Sequence, residues 1–87
     1  MSPKKILANA ANTLVPAYLA LQQKGYAVHC EQPGLAEEVW YAEIENHQFS
    51  AADPVSLLGL VALHESRGDG WQATDNEIES FLSWYAP

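Results

Sequence analysis

The side chains that could do chemistry in this 87-residue chain are three histidines, one cysteine and eleven acidic residues. His29, Cys30, His47 and His64 are of types that ligate transition metals. His29 and Cys30 are neighbours in an alternating segment, so they should point to opposite faces of a strand and cannot bind one ion together. His64 and Glu65 begin like an H-E-x-x-H metal-binding motif, but the second histidine is missing. A structural role explains His64 instead, because a positively charged side chain in the last turn of a helix is favoured by the helix dipole. The sequence therefore predicts no metal site and no other cofactor.

Four carboxylates, Glu37, Glu38, Glu43 and Glu45, surround one predicted hairpin. Acid–base catalysis needs two carboxylates in a pocket that separates their pKa values, whereas solvated acids on a strand are much commoner. The sequence also contains no Gly-rich phosphate loop and no G-x-S-x-G motif. We therefore predict no catalytic residues and no enzymatic activity.

The segment HESRGDGWQATDNE, residues 64–77, contains an Arg-Gly-Asp tripeptide but is better explained as a corner between two helices. Gly68 is placed to end one helix in a left-handed cap. Thr74 and Glu77 have the spacing of a capping box that begins the next helix. Trp71 is expected to close the loop between them. Only Arg67 and Asp69 are left without a predicted structural role, and an adhesive function is disfavoured.

The elements that carry these residues follow from hydrophobic periodicity. Ser2 and Pro3 resemble a helix start and Gly25 a helix stop, with the intervening apolar residues on one side. Pro16 should kink this helix, and a break near Val15 is the alternative. Residues 26–31 and 38–45 alternate as antiparallel strands, with Trp40, Ala42 and Ile44 on the buried face. Residues 46–48 are expected to turn the chain, and residues 49–51 to add a short third strand.

Two helices are predicted after the strands. Asp53 and Pro54 begin the first, which is apolar nearly all round and should form the buried centre. Its small-residue stripe is expected to let another element approach closely; the stripe consists of Val55, Gly59, Ala62 and Ser66. Apolar residues at helical spacing over 78–85 predict the second. The fold class is therefore α+β: a kinked N-terminal helix, an antiparallel hairpin or three-strand meander, and two C-terminal helices packed on one sheet face, all in one domain spanning 1–87.

Charge is the most informative global property. The net charge is −7, and residues 1–25 carry three lysines and no acid, whereas residues 26–87 carry all eleven acids and one arginine. Such a surface repels phosphate backbones, which disfavours nucleic acid as a partner. No apolar stretch approaches the ~20 residues that span a bilayer, so no membrane association is expected. The single cysteine excludes an internal disulfide and, with no signal peptide evident, favours the cytoplasm.

These observations favour a non-catalytic acidic binding protein that captures a basic protein partner, as an inhibitor or immunity-type protein would. The predicted partner-binding residues are acids and aromatics of the hairpin and the last helix: Glu37, Glu38, Tyr41, Glu43, Glu45 and Trp84. Trp84 lies at the margin of a buried stripe, where a core-edge role and an interface role are both open. The alternative is a self-associating structural or regulatory subunit, a homodimer in the simplest case, whose basic N-terminal helix meets the acidic part of another copy. A small enzyme with an acidic site ranks third.

Overall fold

A computed structural model of the chain describes residues 3–7 and 11–85. A 3-10 turn, Ala11–Thr13, leads into α1, Leu14–Gln23, and a sheet of three strands follows. The strands are β1, Ala27–Glu31; β2, Val39–Ile44; and β3, His47–Ala51. Then come α2, Pro54–Arg67; a 3-10 turn, Gly68–Gly70; and α3, Asp75–Tyr85. The predicted α+β class, with three antiparallel strands between one N-terminal and two C-terminal helices, is confirmed.

The first helix is shorter than predicted. Residues 3–7 have no regular structure, and Ile6 and Leu7 are 89% and 91% exposed. Because α1 begins at Leu14, Pro16 lies in its first turn, where an N–H has no intrahelical acceptor and proline costs little. The predicted start at Pro3 is thus wrong, and a predicted N-cap at Ser2 lies outside the described residues. The helix begins at Leu14, close to Val15, where the alternative prediction placed a break. The predicted stop is confirmed, since Gly25 has a φ of +95°.

The sheet is an antiparallel meander in the order β1-β2-β3. The third strand is longer than predicted because the turn occupies only Glu45 and Asn46, with Glu45 at a φ of +40°. His47 and Gln48, predicted as part of that turn, instead pair with Ile44 and Glu43. One consequence is that His47 becomes the first residue of a strand.

One face of the sheet carries the core. Trp40, Ala42 and Ile44 lie on this face as predicted, with Ala42 fully buried. The buried core joins this face to α1 and α2 and consists of Leu21, Tyr26, Ala42, Phe49, Leu57 and Val61. The opposite face carries Tyr41 and Glu43, the alternation predicted for β2.

The start of α2 is as predicted, because the Asp53 carboxylate accepts the Ser56 N–H at 2.8 Å and Pro54 occupies the first turn. The buried residues of α2 lie on one face only. The small-residue stripe is on the other side: Gly59, Ala62 and Ser66 are exposed, and a Cβ placed on Gly59 would have no atom within 4 Å. The prediction that Gly59 faces a close-packed element is therefore wrong.

The last helix begins as predicted and packs differently. The Thr74 N–H donates to the Glu77 carboxylate at 2.8 Å and the Glu77 N–H donates to the Thr74 hydroxyl at 3.2 Å, which confirms the capping box. No residue of α3 is buried, however, so the predicted packing of both C-terminal helices on the sheet holds for α2 alone. A three-stranded sheet is about 15 Å wide. Helices are about 10 Å across, so α1 and α2 already cover it.

Candidate functional site

Three side chains from three elements meet where α2 ends. His64 lies in the last turn of α2, His47 is the first residue of β3, and Asp69 lies in the 3-10 turn that follows. Gly68 makes this meeting possible, because its φ of +74° ends the helix and turns the chain back. We call these three residues the histidine–aspartate cluster: His47, His64 and Asp69.

The two imidazoles of the cluster share one carboxylate oxygen. Nε2 of His64 lies 2.7 Å and Nε2 of His47 lies 2.9 Å from Oδ1 of Asp69. A carboxylate only accepts, so each Nε2 carries the hydrogen and donates it. Hydrogen bonds from His64 and then from His47 lower the pKa of the Asp69 carboxyl. The cluster therefore holds an ionised carboxylate between two imidazoles.

Packing on Phe49 holds both rings in place. Phe49 is buried, and it stacks on His47 with ring centroids 6.1 Å apart and meets the edge of His64 at 5.4 Å. The side chains of His64 and His47 are 22% and 42% exposed, whereas that of Asp69 is 83% exposed. The two imidazoles thus pack against Phe49 on the inner side of the cluster, and Asp69 is open to solvent on the outer side.

The sequence did not reveal this arrangement. His64 was explained by the helix dipole alone, and Asp69 was left without a structural role; both interpretations are corrected by the contacts of the cluster. Arg67 also has a role, because its Nε donates to the Trp71 carbonyl at 2.8 Å and its guanidinium pairs with Glu77 at 3.3 Å. Every residue of the Arg-Gly-Asp tripeptide is therefore used in building the corner.

The predicted partner-binding acids are spread along β2. Glu38 lies before the strand and Glu45 follows it, so about 20 Å of strand separates them. Glu38 is held in place, because its carboxylate accepts hydrogen bonds from the Gly34 N–H at 2.7 Å and the Trp40 indole N–H at 2.9 Å. These two hydrogen bonds lower the pKa of the Glu38 carboxyl. Glu37 is exposed in the β1–β2 loop. These acids do not form one patch.

The other predicted partner-binding residues lie on two surfaces. Tyr41 is on the outer sheet face, where His29 stacks on it with centroids 4.9 Å apart, and Glu43 beside it accepts from Gln48 at 2.7 Å. Trp84 lies on α3 and is 79% exposed, so it is not at the edge of the core.

The last helix presents a row of large apolar side chains to solvent. We call this row the α3 apolar face; its members are Ile78, Phe81, Leu82, Trp84 and Tyr85, which are 43–79% exposed. A groove of about 430 Å³ runs beside it, between Ile78 and Phe81 on α3 and Leu63 and Trp71 on α2 and the corner. Among the three helices, α3 has the most strongly segregated apolar and polar sides. Trp71 is half-buried at this corner, as the sequence predicted.

The cysteine lies apart from both features. Cys30 pairs across the sheet with Trp40, and His29 points to the other face, as the alternation predicted. Desolvation and the nearby Glu38 and Glu31 carboxylates raise the pKa of the Cys30 thiol. A thiol that stays protonated at neutral pH is a poor nucleophile.

Comparison with known proteins adds no relationship: no protein family, curated protein or solved structure matches the chain. Within residues 3–7 and 11–85, no helix has the length and apolar character needed to cross a membrane.

Proposed function

We propose that the protein is a non-catalytic acidic binding protein that docks α3 into an apolar groove on a basic protein partner. The observation that carries this proposal is the α3 apolar face, which has five large side chains on an 11-residue helix and none of them buried. Contiguous apolar surface of this kind marks interaction sites in folded proteins. An amphipathic helix that lays its apolar side into a groove is a recurrent mode of recognition.

The charge of α3 favours a basic protein as the partner over a second copy of this chain. The polar positions of α3 include Asp75, Glu77 and Glu79 and no basic residue. Arg67, the nearest cation along the chain, is already paired with Glu77. Two copies meeting through α3 would bring six carboxylates together, whereas a groove rimmed by lysine and arginine would pair with them. Such pairing steers encounter, and the apolar side chains supply the affinity.

The apolar side chains are large enough to supply useful affinity. Full burial of one such side chain contributes roughly 1.5–3 kcal/mol. A micromolar complex needs about 8 kcal/mol in total. The aromatic members, Phe81, Trp84 and Tyr85, belong to the types that dominate binding energy in interfaces. An inhibitor that neutralises a cationic toxin or nuclease has this physical profile, and the unpaired Cys30 fits a cytoplasmic location.

Site-specific photo-crosslinking in the native cells tests the proposal. A benzophenone amino acid at position 84 should form a covalent adduct with a basic protein. The same group at position 83, where Ser83 lies on the polar side of α3, should not. Equal labelling from both positions, or an adduct with an acidic protein, would contradict the proposal. An adduct between two copies of the chain would establish the self-associating subunit instead.

Affinity for the captured protein then measures the contribution of the α3 apolar face. The double variant Phe81→Ala/Trp84→Ala should weaken binding at least tenfold, since each anchor contributes more than ~1 kcal/mol. The matched control Asn76→Ala/Ser83→Ala changes the opposite side of the same helix and should leave the dissociation constant within about twofold. Equal losses in the two variants would show that α3 does not dock through its apolar side.

A further inference from the structure

We propose that the histidine–aspartate cluster binds a divalent transition cation of the zinc class. The cluster offers two imidazole nitrogens and one carboxylate oxygen, and these three atoms lie within 4.8 Å of one another. Imidazole nitrogens select zinc, copper, nickel and iron over magnesium and calcium, which prefer oxygen ligands. Two histidines and one carboxylate is the protein ligand set of several zinc hydrolases and non-haem iron sites.

Small movements would convert the hydrogen-bonded cluster into a coordination site. Zinc–nitrogen and zinc–oxygen bonds of about 2.1 Å place tetrahedral donors about 3.4 Å apart. The two imidazole–carboxylate distances are 2.7 and 2.9 Å, so these pairs must open by about 0.7 and 0.5 Å, and the two imidazole nitrogens, which lie within 4.8 Å of each other, must come to the same spacing. Rotation of the exposed Asp69 side chain can open the two imidazole–carboxylate pairs, and small rotations of the rings that pack on Phe49 can adjust the spacing of the nitrogens.

The protons on the two imidazoles can be rearranged so that the cluster binds a cation at neutral pH. In the hydrogen-bonded cluster each imidazole carries a proton on Nε2 and donates it to Asp69. Coordination requires the Nε2 lone pair, so the proton moves to Nδ1 of the same ring. A neutral imidazole can bind the cation without losing a proton to solvent, and an aspartate carboxylate is negative at neutral pH. The cation would take the place of the two hydrogen bonds that now join the imidazoles to the Asp69 carboxylate.

The exposure of Asp69 defines the kind of site. Three protein ligands leave at least one coordination position, and that position faces solvent because the Asp69 side chain is 83% exposed. The cation would therefore carry water or a ligand from another molecule. It would also join β3 to the end of α2 and to the turn after it. This inference does not depend on the proposed docking of α3.

Isothermal titration of zinc chloride into chelator-treated full-length protein provides the first test. We expect one bound equivalent, a higher melting temperature in the presence of zinc, and no heat with magnesium chloride. His47→Gln and His64→Gln should each weaken zinc binding at least tenfold. The third histidine supplies a matched control, because His29 stacks on Tyr41 on the other sheet face and His29→Gln should leave the affinity unchanged.

Imidazole nitrogen resonances separate this site from adventitious binding and need no substitution. Long-range proton–nitrogen spectra of the wild-type protein should show zinc shifting Nε2 of His47 and His64 while the resonances of His29 stay in place. Three outcomes would overturn the proposal: no nitrogen shift at millimolar zinc, a shift at His29 instead, or a His47→Gln/His64→Gln double variant that is folded and binds zinc within threefold of wild type.

Discussion

At the scale of single residues, Asp53 links the stability of the fold to pH. Its carboxylate caps α2 by accepting the Ser56 N–H at 2.8 Å and the Ser56 hydroxyl at 3.0 Å. The backbone hydrogen bond from Ser56 lowers the pKa of Asp53 in the folded protein below its unfolded value of about 4. The stabilisation is therefore complete above pH ~4 and is lost as the pH falls through the folded-state pKa.

Asp53→Ala should lower the free energy of unfolding by about 1 kcal/mol near neutral pH, the usual loss for an N-cap. That deficit should narrow as the pH falls below ~4, because protonation removes the same cap from the wild type. Urea denaturation across this range measures it. Asparagine caps a helix without titrating, so Asp53→Asn should be closer to wild type at neutral pH. A deficit of Asp53→Ala that is constant down to pH 2 would contradict this account.

The residues whose roles were predictable are those whose partners are close in sequence. Asp53, Gly68 and the pair Thr74 and Glu77 act within three or four residues, so spacing alone specified them. Asp69 was missed because one of its two partners, His47, is 22 residues away. A contact of that kind depends on where a strand begins, and the predicted turn over residues 46–48 had removed His47 from the strand.

At the scale of elements, α2 offers a direct test of the corrected packing. Because a Cβ at position 59 would meet no atom within 4 Å, Gly59→Ala should raise the free energy of unfolding by about 1 kcal/mol through helix propensity. The control is Gly68→Ala, in which alanine must adopt a φ of +74° with a ψ of −160°, a region open almost only to glycine; this variant should be destabilised by about 1–3 kcal/mol. Chemical denaturation compares the two. A destabilised Gly59→Ala would mean that the stripe faces a packed element after all.

The capping box of α3 should act locally because α3 contributes no buried residue to the core. Removing the cap with Thr74→Ala should cost the helix about 1 kcal/mol. An isolated 11-residue helix is marginal in water. We therefore expect lower helicity over residues 75–85 by NMR chemical shifts and little change in the melting temperature. A cooperative loss of several degrees would show that α3 packs on the body of the protein.

The meeting of β3 and α2 could have been predicted from element lengths. From Ala51 back to His47 is about 13 Å along the strand, and from Pro54 to His64 is about 15 Å along the helix, which runs antiparallel to the strand. The two histidines therefore lie at the same level once the strand is extended to residue 47. The exposure of α3 was not predictable, because its periodicity is that of a buried helix. Whether the apolar face of α3 is buried depends on how much of the sheet α1 and α2 leave uncovered.

At the scale of the whole molecule, the net charge of −7 should control the rate of encounter with a basic partner. Substituting Glu37, Glu43 and Glu45 with glutamine should slow association several-fold and leave the dissociation rate nearly unchanged, since these side chains are exposed. Stopped-flow binding to the crosslinked partner at increasing salt provides the measurement. Phe81→Ala should show the reverse pattern, with faster dissociation. An association rate indifferent to salt and to the glutamines would exclude electrostatic capture.

Arg67 has one more consequence, which concerns proteolysis. It is the only lysine or arginine after Lys24, so trypsin has a single cleavage site between residues 25 and 87, at the corner between α2 and α3. A brief digest should release residues 68–87, with all of α3, as one peptide. The scissile bond also lies between His64 and Asp69, so a cation that joins them should slow cleavage in wild type and not in His64→Gln. The fraction of uncut protein on a gel would then report cation binding at the histidine–aspartate cluster. The released peptide would provide α3 for binding studies.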